Sequence, residues 1–286
     1  MKGKGTMRIL ITGAQGQLGT ELCHLLDEKN IEYVGTGTKD LDITDKKAVT
    51  GYFSKYKPEL VYHCAAFTAV DVAEEEPGKT ANQKVNVDGT RNIAEASEKA
   101  GATMVYISTD YVFDGKNEDM YTEDSVPNPQ NEYGRAKLAG ENAVSEMMTK
   151  YYIIRTSWVF GKYGKNFVYT MLHLAETHDH LTVVNDQVGR PTWTRTLAGF
   201  MNYSVENNIP YGLYQLSNEN SCTWYEFAKE ILKNKDIKID PVSSNEYPQK
   251  AYRPRHSVMN LAKVENTGFE VINWQEALSN FLSDVD

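Results

Sequence analysis

From Met7 to about Phe160 the chain alternates short apolar runs with longer amphipathic stretches. The runs predict strands at Arg8–Thr12, Ile31–Thr36, Leu60–Cys64, Thr103–Ser108 and Tyr151–Thr156. The stretches between them predict helices at Gln17–Glu28, Asp45–Lys55, Thr80–Ala100 and Asn131–Thr149. The third of these closes on Ala100-Gly101, with glycine at the expected stop position. Strands and helices in strict alternation are the pattern of a parallel sheet covered on both faces. The expectation is therefore an α/β fold with a doubly wound parallel sheet.

Beyond Phe160 the pattern loosens, and prolines, asparagines and aromatics become frequent. Asn185–Thr194 and Ser243–Ser257 read as long loops. Two late helices are predicted. One opens on Thr223-Trp224-Tyr225-Glu226, which has capping-box spacing, and runs to about Lys233. The other is a short closing helix at Trp274–Leu282. No internal repeat, low-complexity tract or flexible linker interrupts the chain. The expected organisation is a nucleotide-binding domain over 7–160, to which some later segments return, and a smaller α+β, mainly substrate-binding part over 161–286.

Composition narrows the function classes. The 286 residues carry 30 basic and 39 acidic side chains, a formal charge of -9, which argues against a nucleic-acid-binding protein. Hydrophobic residues make up 41%, enough for a globular core rather than a disordered chain. Cys23, Cys64 and Cys222 are odd in number and lack ligand spacing, so reduced thiols in a cytoplasmic protein are expected. The histidines form no metal motif. No apolar run approaches the roughly 18 residues of a membrane span, so no membrane association is expected. Met1–Thr6 is polar and glycine-rich, and reads as a disordered extension or an expression remnant ahead of the fold.

The first chemistry lies in Gly13-Ala14-Gln15-Gly16-Gln17-Leu18-Gly19, between the first strand and the first helix. Glycines there let the backbone turn sharply and approach a pyrophosphate, while the helix N-terminus offers free amides. This makes the fold Rossmann-like and the ligand a dinucleotide. An acid at the end of the second strand would select NADH. Here the chain reads Gly35-Thr36-Gly37-Thr38-Lys39, whose hydroxyls and ammonium suit a 2′-phosphate. NADPH is the favoured cofactor, with NADH left open. Asp42 and Ile43 sit where an adenine would be held. The small residues Ala65 and Ala66, before Phe67, would let a cofactor lie against the third strand end.

The fourth strand ends in Ser108-Thr109-Asp110, where a hydroxyl can meet the oxygen of a reacting carbonyl. Adjacent residues alternate faces, so one of Ser108 and Thr109 should aim into a cleft. Tyr133 and Lys137 stand four apart on a helix and point the same way. A phenol titrating near ~10 is a poor acid at neutral pH, and a neighbouring ammonium lowers that value.

With Gly13/Gly16/Gly19, Ser108-Thr109-Asp110 and Tyr133/Lys137 in order, the chain resembles the extended short-chain dehydrogenase/reductase family. Ser108–Gly115, Arg155–Phe160, Asn185–Thr192 and Ala251-Tyr252-Arg253-Pro254 resemble a dTDP-sugar reductase branch of it. That resemblance implies reduction of the C4 ketone of dTDP-4-dehydro-L-rhamnose. It implies Tyr133 as general acid, Lys137 as its partner on the nicotinamide ribose, and Thr109 as third member. It also implies that Gly16, Gln17 and Leu18 meet the pyrophosphate, Asp42 and Ile43 the adenine, and Ala65, Ala66 and Phe67 the cofactor's flank. Asn86 would support the central strands, Thr109, Asp110 and Trp158 would contact the sugar, with Trp158 suited to stack on it, and Lys165, Asn166, Arg190, Arg253 and Arg255 are candidates for the substrate's diphosphate. Some members are magnesium-bridged dimers built on acids. Glu21 fits that role, but Arg195 stands where another acid is wanted, so no metal is expected, and monomer or homodimer stays open. Two other readings stay open at this point: a nucleotide-sugar epimerase or dehydratase with retained NAD, and a non-catalytic regulatory subunit.

Overall fold

The computed structural model describes residues 7–285. Met1–Thr6, read above as an extension, and Asp286 lie outside the described residues. The first half follows the βαβ pattern closely. Its elements are β1 (Ile9–Thr12), α1 (Gln17–Glu28), β2 (Val34–Thr36), α2 (Lys46–Tyr56) and β3 (Leu60–His63), then α3 (Gly78–Gln83), α4 (Thr90–Ala100), β4 (Thr103–Thr109), α5 (Glu132–Met147) and β5 (Tyr151–Thr156). A π-helical stretch, Lys84–Gly89, joins α3 to α4, so the helix predicted from Thr80 contains a wide turn.

The second half is richer in structure than its loose pattern suggested. It contains β6 (Val159–Phe160), α6 (Phe167–Thr177), β7 (His180–Val184), β8 (Val188–Gly189), β9 (Thr192–Trp193) and α7 (Thr194–Glu206). Then follow β10 (Gly212–Gln215), β11 (Cys222–Thr223), α8 (Trp224–Ile231), β12 (Lys238–Val242), α9 (Ala262–Glu265) and α10 (Trp274–Val285). The expected Asn185–Thr194 loop holds β8 and β9, and three helices, α6, α7 and the short α9, stand where none was predicted.

Six strands form one sheet in the order β10-β5-β4-β3-β1-β2, and every neighbouring pair runs parallel. The order reverses beside β1: the chain goes outward to β2, then crosses back to β3. Ligands in such sheets bind beyond the strand carboxyl ends at that reversal. Two apolar layers cover the sheet. One joins Ile9, Ile11, Leu22, Leu26 and Tyr62 to Leu197, Phe200 and Tyr214, so α7 and β10 return to the first half's core. The other packs Leu10, Val61, Ile93, Met104 and Ile153 under α2, α4 and α5. A separate cluster of Phe160, Val168, Leu181, Phe227, Trp274 and Phe281 sits in the second half.

Local signals end the key helices where the site needs them. Asn131 caps α5, its side-chain oxygen accepting from the Gly134 amide at 2.6 Å, which fixes the helix start one residue before Tyr133. Its amide nitrogen also donates to the Tyr252 carbonyl at 2.9 Å, tying the 243–257 loop to that helix. The capping box at α8 forms as its spacing predicts: the Thr223 hydroxyl accepts from the Glu226 amide, and the Glu226 carboxylate accepts from the Thr223 amide.

Candidate active site

The glycine loop turns tightly after β1. Gly13 has φ +68°, and a Cβ there would stand 2.5 Å from the Ala65 amide nitrogen. At Gly19 a Cβ would lie 2.1 Å from the Gly13 carbonyl oxygen. Both positions therefore exclude any side chain. Gly16, at the N-cap of α1, supplies no side-chain cap, so the first amides of that helix are left for an anion. A hollow of about 240 Å³ runs from Gly13 and Gly16 past Thr38, Asp42 and Ile43 to Ala65, Ala66 and Phe67. Asn86 clasps its wall, exchanging hydrogen bonds with both backbone groups of Phe67 at 2.9 and 3.0 Å. Gln15 packs against Gly37. The exposed Asp40 folds back on its own turn, its carboxylate accepting from the Gly37 amide at 2.8 Å. These features fit an NADP-type dinucleotide: a backbone cradle for the pyrophosphate, and no ribose-directed acid at the β2 end.

A second hollow, about 460 Å³, adjoins the first through Gly16, Cys64 and Ala66. It gathers Gln17, Leu18, His63, Thr109, Asp110, Tyr133, Lys137, Trp158, Lys165 and Trp224. The Thr109, Tyr133 and Lys137 of the sequence reading thus come together at the carboxyl ends of β3, β4 and β5. Larger than either is an open hollow of about 870 Å³ beside Arg8, Asp27, Tyr33 and Tyr56, but it lies at the amino ends of the strands and holds no such group.

The electrostatics differ from the simple pair picture. Burial pushes the Tyr133 phenol well above its ordinary range, the nearby Asp110 pushes it further, and a hydrogen bond with Thr109 opposes them. The ammonium was expected to lower the phenol, but burial and Asp110 set the direction of its shift. Lys137 is itself pushed down to about 7 by burial, against an upward pull from Glu141. Its amine sits 4.1 Å from the centre of the Tyr106 ring, a cation–π seat. Tyr133 therefore holds its proton through neutral pH.

Ser108 and Thr109 divide as alternation requires. The Ser108 hydroxyl turns to Glu141 at 2.5 Å, in a buried network where Arg155 donates twice to the same carboxylate, at 2.9 and 2.7 Å. Thr109 donates to Asp110 at 3.1 Å and accepts from the Tyr111 amide at 3.2 Å.

The remaining candidates scatter around the cleft. Asn166 donates to Gln17 at 3.2 Å and caps α6, which places it by the glycine loop. Arg253 stands just outside, over the Tyr111 ring and paired with Asp71 at 2.7 Å. Arg190 does not line the cleft; its side chain enters a separate hollow with Met120, Glu219 and Glu265. Trp158 lines the cleft but stacks on Trp224, ring centres 3.7 Å apart and planes 12° from parallel. Its φ of +47° is strained for a bulky residue, by about 1–3 kcal/mol. A Cβ on Gly189 would reach within 2.6 Å of the indole, so only glycine seats it. Glu21 accepts from Thr194 and pairs with Arg195, which also pairs with Glu28.

Four residues of the cleft or its support escaped the sequence reading. His63 bridges Thr12 and Thr90 inside the sheet, and burial pushes it down to about 3, so it is neutral. Trp224 has no signal beyond following its own helix cap. Glu141 was findable, one turn beyond Lys137 on the same helix face. Ser257 reaches Asp110 from the far loop at 2.6 Å.

Fold and cleft together are those of a Rossmann-type nucleotide-binding protein. The model described as "RmlD substrate binding domain" matches residues 7–286, and the chain belongs to that family. It is 40% identical to the spore coat polysaccharide biosynthesis protein SpsK of Bacillus subtilis, over 97% of each chain. It is 37% identical to a dTDP-4-dehydrorhamnose reductase of Aggregatibacter actinomycetemcomitans, over 96% of this chain and 97% of that one. The solved dTDP-4-dehydrorhamnose reductase of Bacillus anthracis, in complex with NADP, superposes with a TM-score of 0.94 at 40% identity, covering 98% of this chain and 99% of the other. A Thermus thermophilus UDP-glucose 4-epimerase, at 20% identity and TM-score 0.82, shares the fold alone.

Proposed function

We propose that the protein reduces the C4 ketone of dTDP-4-dehydro-L-rhamnose with NADPH, giving dTDP-L-rhamnose. One observation carries the reading: Thr109, Tyr133 and Lys137 meet in a cleft continuous with the glycine-loop hollow, in a chain whose relatives bear that reductase's name. The epimerase reading has only a fold-level likeness behind it, and a regulatory subunit has no need of all three groups.

The cradle residues Gly13, Gln15, Gly16, Gln17 and Leu18 hold the pyrophosphate. Asp42, Ile43, Ala65, Ala66 and Phe67 flank the rest of the cofactor. NADPH supplies the hydride that reaches C4. Tyr133, kept protonated by burial, delivers its proton to the C4 oxygen as charge develops there. Lys137 bonds the nicotinamide ribose and keeps the resulting tyrosinate tolerable. Thr109 orients the ketone. Asp110 and Trp158 contact the sugar, while Lys165 and Asn166, with Arg253 at the rim, serve the diphosphate. Arg190 serves it only if its side chain swings out of its separate hollow. The first half and its returning segments carry the cofactor, and the second half mainly the substrate. No described helix is long and apolar enough to cross a membrane, and all three cysteines are free, which suits a cytoplasmic enzyme. A monomer or a homodimer without bridging metal completes the proposal.

The test is direct. Purified protein, NADPH and the dTDP-ketosugar are mixed, and the absorbance of the reduced cofactor is followed. Consumption that depends on the ketosugar supports the reading; none, with a verified substrate, sinks it.

A further inference from the structure

A hydroxyl has one proton to give and two lone pairs with which to accept. The Thr109 hydroxyl spends its proton on Asp110 Oδ1, at 3.1 Å, and accepts the Tyr111 amide, at 3.2 Å. What it turns to the cleft in that state, on the side of the Tyr133 phenol with which it also hydrogen-bonds, is a lone pair. A ketone oxygen is also an acceptor, so the two repel, and a carboxylate behind Thr109 would further oppose the negative charge that grows on that oxygen. The orienting role proposed for Thr109 therefore fails while Asp110 is ionised.

Protonation of Asp110 on Oδ1 reverses the bond. Asp110 then donates to Thr109, whose oxygen accepts from both Asp110 and the Tyr111 amide. Its own proton turns to the cleft. Ser257 holds the other end: its hydroxyl donates to Asp110 Oδ2 at 2.6 Å, and both residues are only 2% exposed. We infer that Ser257 and Asp110 set the direction of the Thr109 hydroxyl, which donates to the substrate ketone only when Asp110 carries a proton. Ser257 is thus a positioning residue, contributed by the loop that also carries Arg253.

The surroundings agree. Burial pushes Asp110 up to about 6, against hydrogen bonds from Ser257, Thr109 and the backbone amides of Asp110 and Tyr111. The titratable and charged groups around it are Tyr133 and Lys137 on α5, the buried Glu141–Arg155 pair, neutral His63 on β3, and His256 beside Ser257. Beyond Tyr111 lie Arg253 and its partner Asp71. None of these is a hydrogen-bond partner of Asp110 among the described residues; its side-chain partners are the hydroxyls of Thr109 and Ser257. A substrate filling the cleft removes further water and raises Asp110 again.

The inference rests on the reductase reading for its kinetic test, and a second readout is independent of turnover. In the wild type, kcat/KM falls as pH rises through the Asp110 value, because the protonated form is the active one. Ser257→Ala removes a donor that favours the ionised form, so this limb moves up by about one pH unit. Ser257→Thr restores it, and Asp110→Asn abolishes it, whatever its plateau rate. Lys137 titrates near by, but its limb also appears in NADPH affinity, which Ser257→Ala leaves unmoved. Independently, infrared difference spectra of the NADPH-bound protein follow the carbonyl stretch of a protonated carboxyl. That band is present in the wild type at low pH, absent in Asp110→Asn, and persists to higher pH in Ser257→Ala. The inference falls if the Ser257→Ala profile and band coincide with wild type, or if the limb persists in Asp110→Asn. Lack of turnover with an intact, titrating band would instead sink the substrate reading.

Discussion

Replacing Glu141 by alanine should destabilise the protein far more than an average substitution. Glu141 lies on the helix of Tyr133 and Lys137, and receives two hydrogen bonds from Arg155 and one from Ser108. The side chains of Arg155 and Glu141 are 3% and 6% exposed, so neither charge has water to fall back on. Arg155 already has one nitrogen, Nη1, without a protein partner, and its guanidinium lies over the Phe113 ring at 5.1 Å. Removing the carboxylate leaves a buried cation without its ion-pair partner, at a cost of about 3–5 kcal/mol. Against a total stability of about 5–15 kcal/mol, that is a large share. Replacing both partners, as Glu141→Leu with Arg155→Met, removes the desolvation penalty together with the attraction. The double variant should be no less stable than wild type, or gain about 1–4 kcal/mol. Urea unfolding measures both through the midpoint at constant slope. The reasoning is refuted if Glu141→Ala loses under about 1 kcal/mol, or if the double variant loses as much as the two single variants together.

Three further outcomes follow from the same geometry. Tyr133→Phe should lower turnover by about 10²–10⁴-fold while NADPH affinity, read by fluorescence titration, stays within a few-fold. Gly19→Ala should abolish NADPH binding in that titration and lower the unfolding midpoint, since the new methyl meets the Gly13 carbonyl at 2.1 Å. Lys137→Met should raise stability most below pH 7. The folded value of Lys137 is near 7 and its ordinary one 10.5, so the unfolded chain binds the extra proton between them. The wild type therefore gains stability as pH rises through that window, and the gap in unfolding free energy should narrow towards its upper end.

The first half was legible because each of its elements carries its own signal. The strands β1, β3, β4 and β5 are buried apolar runs, and α2 and α4 announce themselves by Asp45 and Gly101 at their ends. The second half hid its elements for physical reasons. The helix α6 reads FVYTMLHLAET, where the exposed Thr170, His173, Glu176 and Thr177 form only a narrow polar stripe in a run that is otherwise apolar and aromatic. The strand β10 is only four residues, and its place beside β5 is fixed by tertiary contacts that no local pattern encodes. At the site, Thr109, Tyr133 and Lys137 could be read because helix spacing and a strand end bring them together. Ser257 could not: 147 residues separate it from Asp110, and only the folded loop joins them. The direction of the phenol's shift was misjudged because sequence spacing reveals the neighbouring ammonium but not the depth of burial.

The return of β10 to the sheet also bears on how the chain is made. Its hydrogen bonds complete the exposed side of β5, with Gly212 to Gln215 pairing along Tyr152 to Arg155. A nascent chain that has emerged only to Phe160 holds five strands and an open edge, the kind that recruits foreign strands. The edge stays open until some fifty more residues, including all of α7, have left the ribosome. For this protein the vulnerable interval in synthesis is set by the position of one short strand. Chaperone dependence, or aggregation of fragments truncated before residue 212, should follow that position rather than the length of the chain.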